Sequence, residues 1–291
     1  MEYRKLPHGT EQISVLGLGT SSIGMAGDQE IEATMTMALE NGVTYFVRGV
    51  RVSDGVRYER YAVKTHFIER GENLVDILRR YVAPLYQPGD VVTISEKVVS
   101  MCQNNTVEMK DVHVGFWARF LSKFATSNHN GIGMNEPYKL QLAINMKGLP
   151  LILWASFCGA VARVFGKRGV FYEIVGQDVA GIDGFYSHSA FETYHTLAVL
   201  NPRDPDRECA AVEEALDIAC AVVDANDIDV EILGRSPSLA SRPDEALADL
   251  IRDNPAGQDD ELTPFIIVRD IGDREAMPYV PVEAIPEPPQ D

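Results

Sequence analysis

The sequence lacks an apolar run long enough to cross a membrane. Its most apolar stretch, Leu149–Phe165, contains Arg163 and is shorter than the roughly 20 apolar residues of a transmembrane helix. The first residues also lack the basic-then-apolar pattern of a signal peptide. We therefore predict that Leu149–Phe165 is a core segment of a soluble protein without a membrane partner.

Cysteine and histidine are too sparse and too irregularly spaced to form a disulfide framework or a zinc site. The four cysteines show no C-x-x-C spacing, and the six histidines show no pattern of zinc ligands. Reduced, buried thiols are expected, and they favour a cytoplasmic location. The cysteines are Cys102, Cys158, Cys209 and Cys220.

Basic residues are scarce in the last third of the chain. Residues 201–291 contain 23 acidic and 7 basic residues, so most of the formal net charge of −17 belongs to this part. An acidic field of this kind repels nucleic acid and anionic membranes, and neither is an expected partner. A solubilising acidic flank explains the pattern better than a docking surface does.

Common nucleotide and hydrolase motifs are also missing. There is no Walker loop and no G-x-S-x-G, and the glycines of Gly17–Gly24 do not have the spacing of a dinucleotide fingerprint. Instead, the segment Tyr3–Phe46 resembles the first strand-helix-strand unit of the aldo-keto reductases. In that family a catalytic Asp follows the second strand, whereas Val47 follows Phe46 here. Reductase activity is therefore not expected.

The remainder of the chain predicts an α+β fold with mixed sheets. Pro88-Gly89-Asp90 predicts a turn before a strand, and Asp204-Pro205 predicts a helix start. A helix is also expected to begin at Asp28. The other predicted strands are Ile13–Leu18, Ala62–Ile68, Val91–Ser95, Val170–Val175, Cys220–Asp224, Val230–Leu233 and Phe265–Val268. The other predicted helices are Glu72–Tyr81, Val114–Phe124 and Pro243–Arg252, with a loop at Thr126–Pro137.

Four residues near the first two strands of this region have the chemistry of phosphate ligands. Lys97 is a counter-ion for nucleotide phosphates, and Thr65 and Ser95 have hydroxyl groups that donate hydrogen bonds. Lys64 precedes Thr65. A lysine after a strand is also common as a solvated strand end, so the residue types alone leave both interpretations open.

Two aspartates follow apolar segments in a way that suits metal binding. Asp183 follows Gly181-Ile182, and Asp224 ends the predicted strand Cys220–Asp224. Carboxylate oxygens are ligands that Mg²⁺ and Mn²⁺ accept. Asp183 next to Gly184 is also typical of a turn, and the acidic group around Asp224 is also typical of a charged edge.

The order of these motifs resembles the coenzyme F-420 gamma-glutamyl ligases over about residues 61–237. The resemblance rests on V-K-T at 63–65, I-S-E-K-V-V-S at 94–100, A-G-I-D at 180–183 and V-V-D at 222–224. It implies that Lys64, Thr65, Ser95 and Lys97 contact nucleotide, with Lys97 also catalytic. It further implies that Asp183 and Asp224 hold Mg²⁺ or Mn²⁺.

The sequence departs from the family pattern around the expected substrate site. Tyr186 stands where the ligases carry an Asn that meets the substrate, and Ala225 replaces a Thr. Lys167-Arg168, between two glycines, form a compact cationic turn. We predict Tyr186, Lys167 and Arg168 as substrate-binding residues, although a plain hairpin turn also explains Lys167-Arg168.

The resemblance implies a GTP-dependent enzyme that joins L-glutamate to a carboxylate through an acyl phosphate, and it suggests a homodimer. A ligase with another acceptor, or a non-catalytic ligand-binding protein of the same fold, are the alternatives. The predicted division is a reductase-like fragment at 1–46, a junction at 47–60, a ligase-like domain at 61–275 and a disordered proline-rich tail at 276–291.

Overall fold

The structure is a computed structural model of the whole chain. It describes residues 3–5, 12–14, 17–18, 45–46, 50–125, 134–167, 169–185, 191–225, 230–256 and 262–272. The helix expected to begin at Asp28, most of the expected loop Thr126–Pro137, and the tail from residue 276 lie outside these ranges.

The described residues form strands and helices in a mixed α+β arrangement, as the sequence predicts. The strands are β1 (Tyr3–Lys5), β2 (Gln12–Ser14), β3 (Gly17–Leu18), β4 (Tyr45–Phe46), β5 (Val50–Ser53), β6 (Val56–Val63), β7 (Val91–Ser95), β8 (Thr106–Glu108), β9 (Asp183–Gly184), β10 (Leu197–Val199), β11 (Cys220–Ala225), β12 (Val230–Arg235) and β13 (Phe265–Asp270). The α-helices are α1 (Leu74–Tyr81), α2 (Glu96–Cys102), α3 (Phe116–Leu121), α4 (Pro137–Lys147), α5 (Leu149–Val164), α6 (Val170–Val175), α7 (Gln177–Ala180), α8 (Thr193–Thr196), α9 (Pro205–Leu216) and α10 (Asp244–Asp249).

The chain divides into two compact units. The sheet unit consists of Met1–Phe67, Asn73–Ser95 and Asp204–Asp291, and the helical unit consists of Ile68–Glu72 and Glu96–Arg203. Strand β7 ends at Ser95, so the chain leaves the sheet unit there and returns at Asp204.

The sheet unit contains a six-stranded sheet in the order β12-β11-β7-β13-β6-β5. Strands β7 and β11 are parallel, and the other neighbouring pairs are antiparallel. Consecutive residues of the central strands are buried, as in Val91–Ile94 and Phe265–Val268, which is typical of strands covered on both faces. Helices α9 and α10 pack against β12, and α9 also packs against β11.

A hairpin of β5 and β6 forms one edge of this sheet. The sequence predicts a junction at most of these positions. Asp54 and Gly55 connect the strands with φ angles of 49° and 79°, as a two-residue hairpin turn requires. The predicted strand Ala62–Ile68 is wrong, because β6 runs over Val56–Val63. The polar residues of β6 hide its strand character; Arg60, for example, is buried and forms an ion pair with Asp253.

The described N-terminal strands form two separate pairs. Strands β1 and β2 are antiparallel, and β3 and β4 are parallel. The predicted strand Ile13–Leu18 is therefore replaced by two short strands that pair with different partners.

The helical unit is built around a three-stranded antiparallel sheet in the order β8-β10-β9. A core cluster of this unit includes Leu140 and Ala143 of α4, Ile152 of α5, and Ile182 and Phe185 on either side of β9. Within the described part of the chain, no single helix is long and apolar enough to cross a membrane. The pair α4 and α5, bent by 119°, passes that test only by combined length and composition.

Two predictions for the helical unit are wrong. Val170–Val175 is helix α6 rather than a strand, because Gly169 and Gly176, with φ angles of 86° and 97°, bound a short helix. Leu149–Phe165 is helical but not wholly core. Ile152 is buried, whereas Trp154 is 58% exposed and Phe157 is 61% exposed. An almost uniformly apolar helix carries no sequence signal for which face is buried.

Candidate active site

An ion pair in the helical unit joins two motifs that are far apart in the sequence. Lys97 lies in the first turn of α2, and Asp183 lies in β9. The Lys97 Nζ atom is 2.5 Å from Asp183 Oδ2, and the two side chains are 34% and 24% exposed. The structure thus brings the predicted catalytic lysine and one predicted metal ligand into direct contact.

Close backbone contacts fix the position of Asp183. Strand β9 pairs with β10, and Asp183 lies opposite Val199. Gly184 has a φ angle of 123°, and a Cβ atom there would lie 2.2 Å from the Leu197 carbonyl oxygen. A Cβ atom at Gly181 would lie 2.1 Å from Asn201 Oδ1. Close backbone approach and a positive φ angle therefore require a glycine at position 184, whereas at Gly181 the contact is with the Asn201 side chain.

The charges around Asp183 come from more than one lysine. Burial alone would lower the pKa of Lys97, but the Asp183 carboxylate outweighs it, so the pKa lies above its usual value. Burial lowers the pKa of Lys139 in α4, and Asp183 opposes that change. Burial raises the pKa of Tyr194, while Lys97, whose Nζ lies 5.2 Å from the ring centroid, opposes that change.

Four other residues predicted as nucleotide or metal ligands belong to the sheet unit. They are Lys64, Thr65, Ser95 and Asp224, and they lie at the carboxyl ends of strands at one end of its sheet. Strands β6 and β7 both run antiparallel to β13, where Val63 and Ile94 lie opposite Phe265. Lys64 and Thr65 follow Val63, and Ser95 follows Ile94. In parallel β11, Val223 lies opposite Ser95, so Asp224 comes at the same end. The carboxyl ends of aligned strands are where open α/β sheets bind ligands.

The side chains at this end of the sheet differ in exposure. Lys64 is exposed, Ser95 is half-buried and Thr65 is buried. The Thr65 hydroxyl donates to the His66 carbonyl oxygen at 2.8 Å. The backbone N–H groups of Thr65 and Ser95 donate to the carbonyl oxygens of Leu262 and Pro264. These hydrogen bonds hold the backbone at this end of the sheet in place. The exposed Lys64 ammonium group is accessible to an anion from solvent.

Asp224 has an acidic residue directly across from it. Glu231 of β12 lies opposite Asp224 in the antiparallel register, and like charges in this position repel each other unless a cation lies near them. Both side chains offer hard oxygen ligands, which fit Mg²⁺ or Mn²⁺. Among the residues that the structure describes, no group of three or more His, Cys, Asp or Glu side chains could hold a metal.

Asp183 also fits a cation, because the Lys97 ammonium group already lies against its carboxylate. A divalent metal at Asp183 would have to replace this ammonium group. The carboxylates of Asp183 and Asp224 therefore have the chemistry of metal ligands, and the described residues supply only part of a coordination shell.

The predicted substrate residues receive less support. Tyr186 and Arg168 lie outside the described residues. Lys167 is exposed, and its Nζ lies 3.4 Å from Glu173 Oε2. Lys167 lies between helices α5 and α6, which pack against each other, and not between strands as the sequence predicts.

Sequence reasoning missed Lys139 and Tyr194. Lys139 precedes Leu142 by three positions and Ala143 by four, and all three are buried. This spacing places Lys139 on the buried face of a helix, which is the signal that could have identified it. Tyr194 has no comparable signal, because its contact with Lys97 depends on the tertiary fold.

Comparison with known families identifies the family of the chain. The family model for F420-0:Gamma-glutamyl ligase matches residues 62–226, more than half of the chain, and the chain belongs to this family. The matched range includes all six residues discussed above as nucleotide or metal ligands. No curated protein matches the chain. The comparisons give no support to the aldo-keto reductase resemblance of residues 3–46.

Proposed function

We propose that the protein is a nucleotide- and divalent-metal-dependent carboxylate–amine ligase. Family membership supports a ligase of coenzyme F-420 biosynthesis. The observation that carries the proposal is the collection of Lys64, Thr65, Ser95 and Asp224 at the carboxyl ends of three aligned strands. Cationic, hydroxyl and carboxylate groups at such an end suit a nucleotide triphosphate and its metal.

The proposed co-substrate is GTP. Lys64 supplies a positive charge for its phosphates, and the Ser95 hydroxyl donates a hydrogen bond. For the Thr65 hydroxyl to donate one as well, it must give up its hydrogen bond to the His66 carbonyl oxygen. Lys97 stabilises the transferring phosphoryl group, which requires it to exchange its contact with Asp183 for a phosphate oxygen. Positioning and charge stabilisation of this kind account for most of the catalysis in phosphoryl transfer.

The proposed reaction has two steps. A substrate carboxylate attacks the γ-phosphorus of GTP, which forms an acyl phosphate and releases GDP. The amine of L-glutamate then attacks the acyl carbon, forms the amide bond and displaces inorganic phosphate. The products are the amide, GDP and phosphate.

The metal requirement is part of the same proposal. Asp183 and Asp224 would hold Mg²⁺ or Mn²⁺, which would neutralise phosphate charge. Lys167, Arg168 and Tyr186 are proposed to contact the carboxylate and amino-acid substrates, and a homodimer is the proposed assembly.

Thermal unfolding with added ligands tests the proposal. Ligands that bind the folded state raise the unfolding midpoint by mass action. We expect GTP together with Mn²⁺ or Mg²⁺ to raise the midpoint more than either alone. Asp183→Asn and Asp224→Asn should abolish this combined shift. ATP serves as the comparison that determines nucleotide preference.

Asp270→Asn is the matched control, because Asp270 ends β13 at the opposite end of the same sheet and is exposed. This variant should keep the full shift. A protein whose midpoint does not respond to either nucleotide with metal would contradict the proposal. A positive shift leads to a panel of carboxylate acceptors with L-glutamate, read out as phosphate release.

A further inference from the structure

Lys97 contacts an aromatic ring as well as a carboxylate. Its Nζ atom lies over the Tyr194 ring, 5.2 Å from the ring centroid, and is 2.5 Å from Asp183 Oδ2. A cation within about 6 Å of an aromatic centroid is attracted by the electron-rich face of the ring. Two different groups of the helical unit therefore attract the Lys97 ammonium group.

The fold fixes the position of the Tyr194 ring by contacts that do not involve Lys97. Tyr194 lies in α8, directly before β10, and β10 is the strand that pairs with Asp183 and Gly184. Phe191 meets the ring edge-on, at a centroid distance of 6.2 Å and an interplanar angle of 84°. The Tyr194 backbone N–H donates to the Phe191 carbonyl oxygen at 3.1 Å. The strand that positions Asp183 thus also positions the ring.

Helix α2 presents Lys97 to the same ring. Met101 follows Lys97 by four positions in this helix, and residues with this spacing lie on one helix face. Met101 is buried in a small cluster against which Tyr194 packs. The other members of this cluster are Leu197 and Val199. The ring therefore lies along the face of α2 that carries Lys97, which agrees with its short distance to the ammonium group.

The proposed reaction breaks the contact between Lys97 and Asp183. A metal ion at Asp183 replaces the ammonium group, and phosphoryl transfer requires Lys97 to contact a phosphate oxygen instead. Lysine has a flexible four-carbon chain, and Lys97 is 34% exposed, so an ammonium group without another attraction turns towards solvent. The ring neither binds the metal nor accepts the phosphoryl group, and it stays available when the carboxylate does not.

We propose that Tyr194 is a positioning residue whose ring keeps the Lys97 ammonium group at the site after the contact with Asp183 is broken. The role of Lys97 towards a phosphoryl group rests on the proposed function. The attraction between the ring and the ammonium group does not, because it requires no ligand.

A double-mutant cycle in the full-length protein tests the attraction without any ligand. Lys97→Met and Tyr194→Leu are made singly and together, first in the wild type and then in Asp183→Asn, which removes the carboxylate charge. Urea denaturation gives the equilibrium constant of unfolding, and the cycle isolates the coupling between the two side chains. We expect a coupling factor of about threefold, the size of an exposed cation–π contact, and we expect it to persist in Asp183→Asn.

Two variants separate the cation–π contact from ordinary packing. Tyr194→Phe keeps the ring and should keep the coupling to Lys97. Tyr172→Leu is the matched control, because Tyr172 is a half-buried tyrosine of the same unit that packs against a different cluster, and it should show no coupling to Lys97. If Tyr194→Leu does not fold, Tyr194→Met, which fills more of the space of the ring, takes its place. Coupling that disappears in Asp183→Asn would overturn the inference and leave Tyr194 with a packing role alone.

Turnover tests the same role in the proposed reaction, with phosphate release as the measurement. Tyr194→Leu should lower kcat about tenfold, because a misplaced group slows the chemical step, while KM for GTP should change by less than about twofold. Tyr194→Phe should keep most of kcat. Equal turnover by Tyr194→Leu and the wild type would overturn the positioning role. Coupling that persists in Asp183→Asn, in a protein that does not respond to nucleotide with metal, would support the inference while contradicting the proposed ligase function.

Discussion

The sheet unit and the helical unit place their large apolar side chains differently. Among the described residues, the sheet unit exposes one large apolar side chain, Val52, whereas the helical unit exposes ten. The ten are Phe116, Trp117, Phe120, Phe124, Met146, Trp154, Phe157, Val161, Val164 and Phe165. Among the described residues, apolar composition therefore predicts burial in the sheet unit but not in the helical unit.

The two units also differ in how they use polar groups. The sheet unit buries complete ion pairs, such as Asp90 with Arg269 and Arg60 with Asp253. Close backbone approach occurs in both units, because a Cβ atom would lie 2.2 Å from the Leu197 carbonyl oxygen at Gly184 and 2.6 Å from the Asp206 backbone nitrogen at Gly234. We therefore expect the loss of a charged partner to cost most where the ion pair is buried, and the loss of a glycine to cost most where the backbone is crowded.

Substitution of Gly184 in β9 and of Gly55 in the β5–β6 turn should give the largest difference between the units. Gly184→Ala places a Cβ atom 2.2 Å from the Leu197 carbonyl oxygen at a φ angle of 123°, so the β9–β10 pair must separate. We expect a loss of more than about 4 kcal/mol in the free energy of unfolding, which is exceptional for a single substitution. Urea denaturation followed by circular dichroism measures this loss.

Gly55→Ala is the comparison in the sheet unit. Gly55 has a φ angle of 79°, and nothing lies within 4 Å of a Cβ atom there. Only the left-handed conformation is penalised, at about 1–2 kcal/mol. Equal losses for the two variants would contradict the distinction between backbone crowding and backbone conformation.

The sequence predicts much of the sheet unit because strand patterns and their ends are local. Strands β7, β11, β12 and β13 lie close to their predicted positions. Ser95 and Asp224, predicted as a nucleotide ligand and a metal ligand, lie near the carboxyl ends of β7 and β11. The β5–β6 hairpin was missed although Asp54-Gly55 is a strong hairpin signal. Its alternation is hidden because Glu59 and Arg60 are buried.

The helical unit was harder to predict because its structure depends on contacts between distant residues. The apolar, β-branched segment Val170–Val175 has strand propensity. It nevertheless forms a short helix, with a glycine at each end as its cap. The pairing of Lys97 with Asp183 was not predicted, although both were candidates. Neither residue type nor spacing shows that a lysine and an aspartate from separate motifs lie 2.5 Å apart.

Removal of one partner from an ion pair should give the second-largest difference. Asp90 is 2% exposed, and Arg269 donates to both of its carboxylate oxygens, at 2.8 and 2.6 Å. Arg269→Met leaves this buried carboxylate without its counter-ion, and we expect a loss of about 3–5 kcal/mol. Equilibrium denaturation in urea measures the loss.

Lys147→Met breaks the more exposed Lys147–Asp178 pair of the helical unit. We expect this variant to lose at most about 1 kcal/mol, because solvent screens the interaction. A loss comparable with that of Arg269→Met would mean that paired charges matter equally in both units.

The smallest expected effect is a pH dependence that involves Tyr61 in β6. Burial and the hydrogen bond that the Tyr61 hydroxyl donates to Glu59 raise the pKa of Tyr61 to about 12, from a usual value of 10.0. The folded state therefore keeps the phenol proton at pH values where the unfolded chain loses it. This contribution to stability is complete below about pH 10 and is lost as the pH rises toward about 12.

Tyr61→Phe should cost about 1 kcal/mol at neutral pH, because one hydrogen bond is lost, and should reduce the decline in stability between pH 10 and 12. Urea denaturation at several alkaline pH values, together with absorbance at 295 nm, measures both effects. The difference between wild type and variant removes contributions from other groups that titrate in this range. Parallel declines in the two proteins would show that Tyr61 ionises alike in the folded and unfolded chains, and that the sheet unit does not protect this proton.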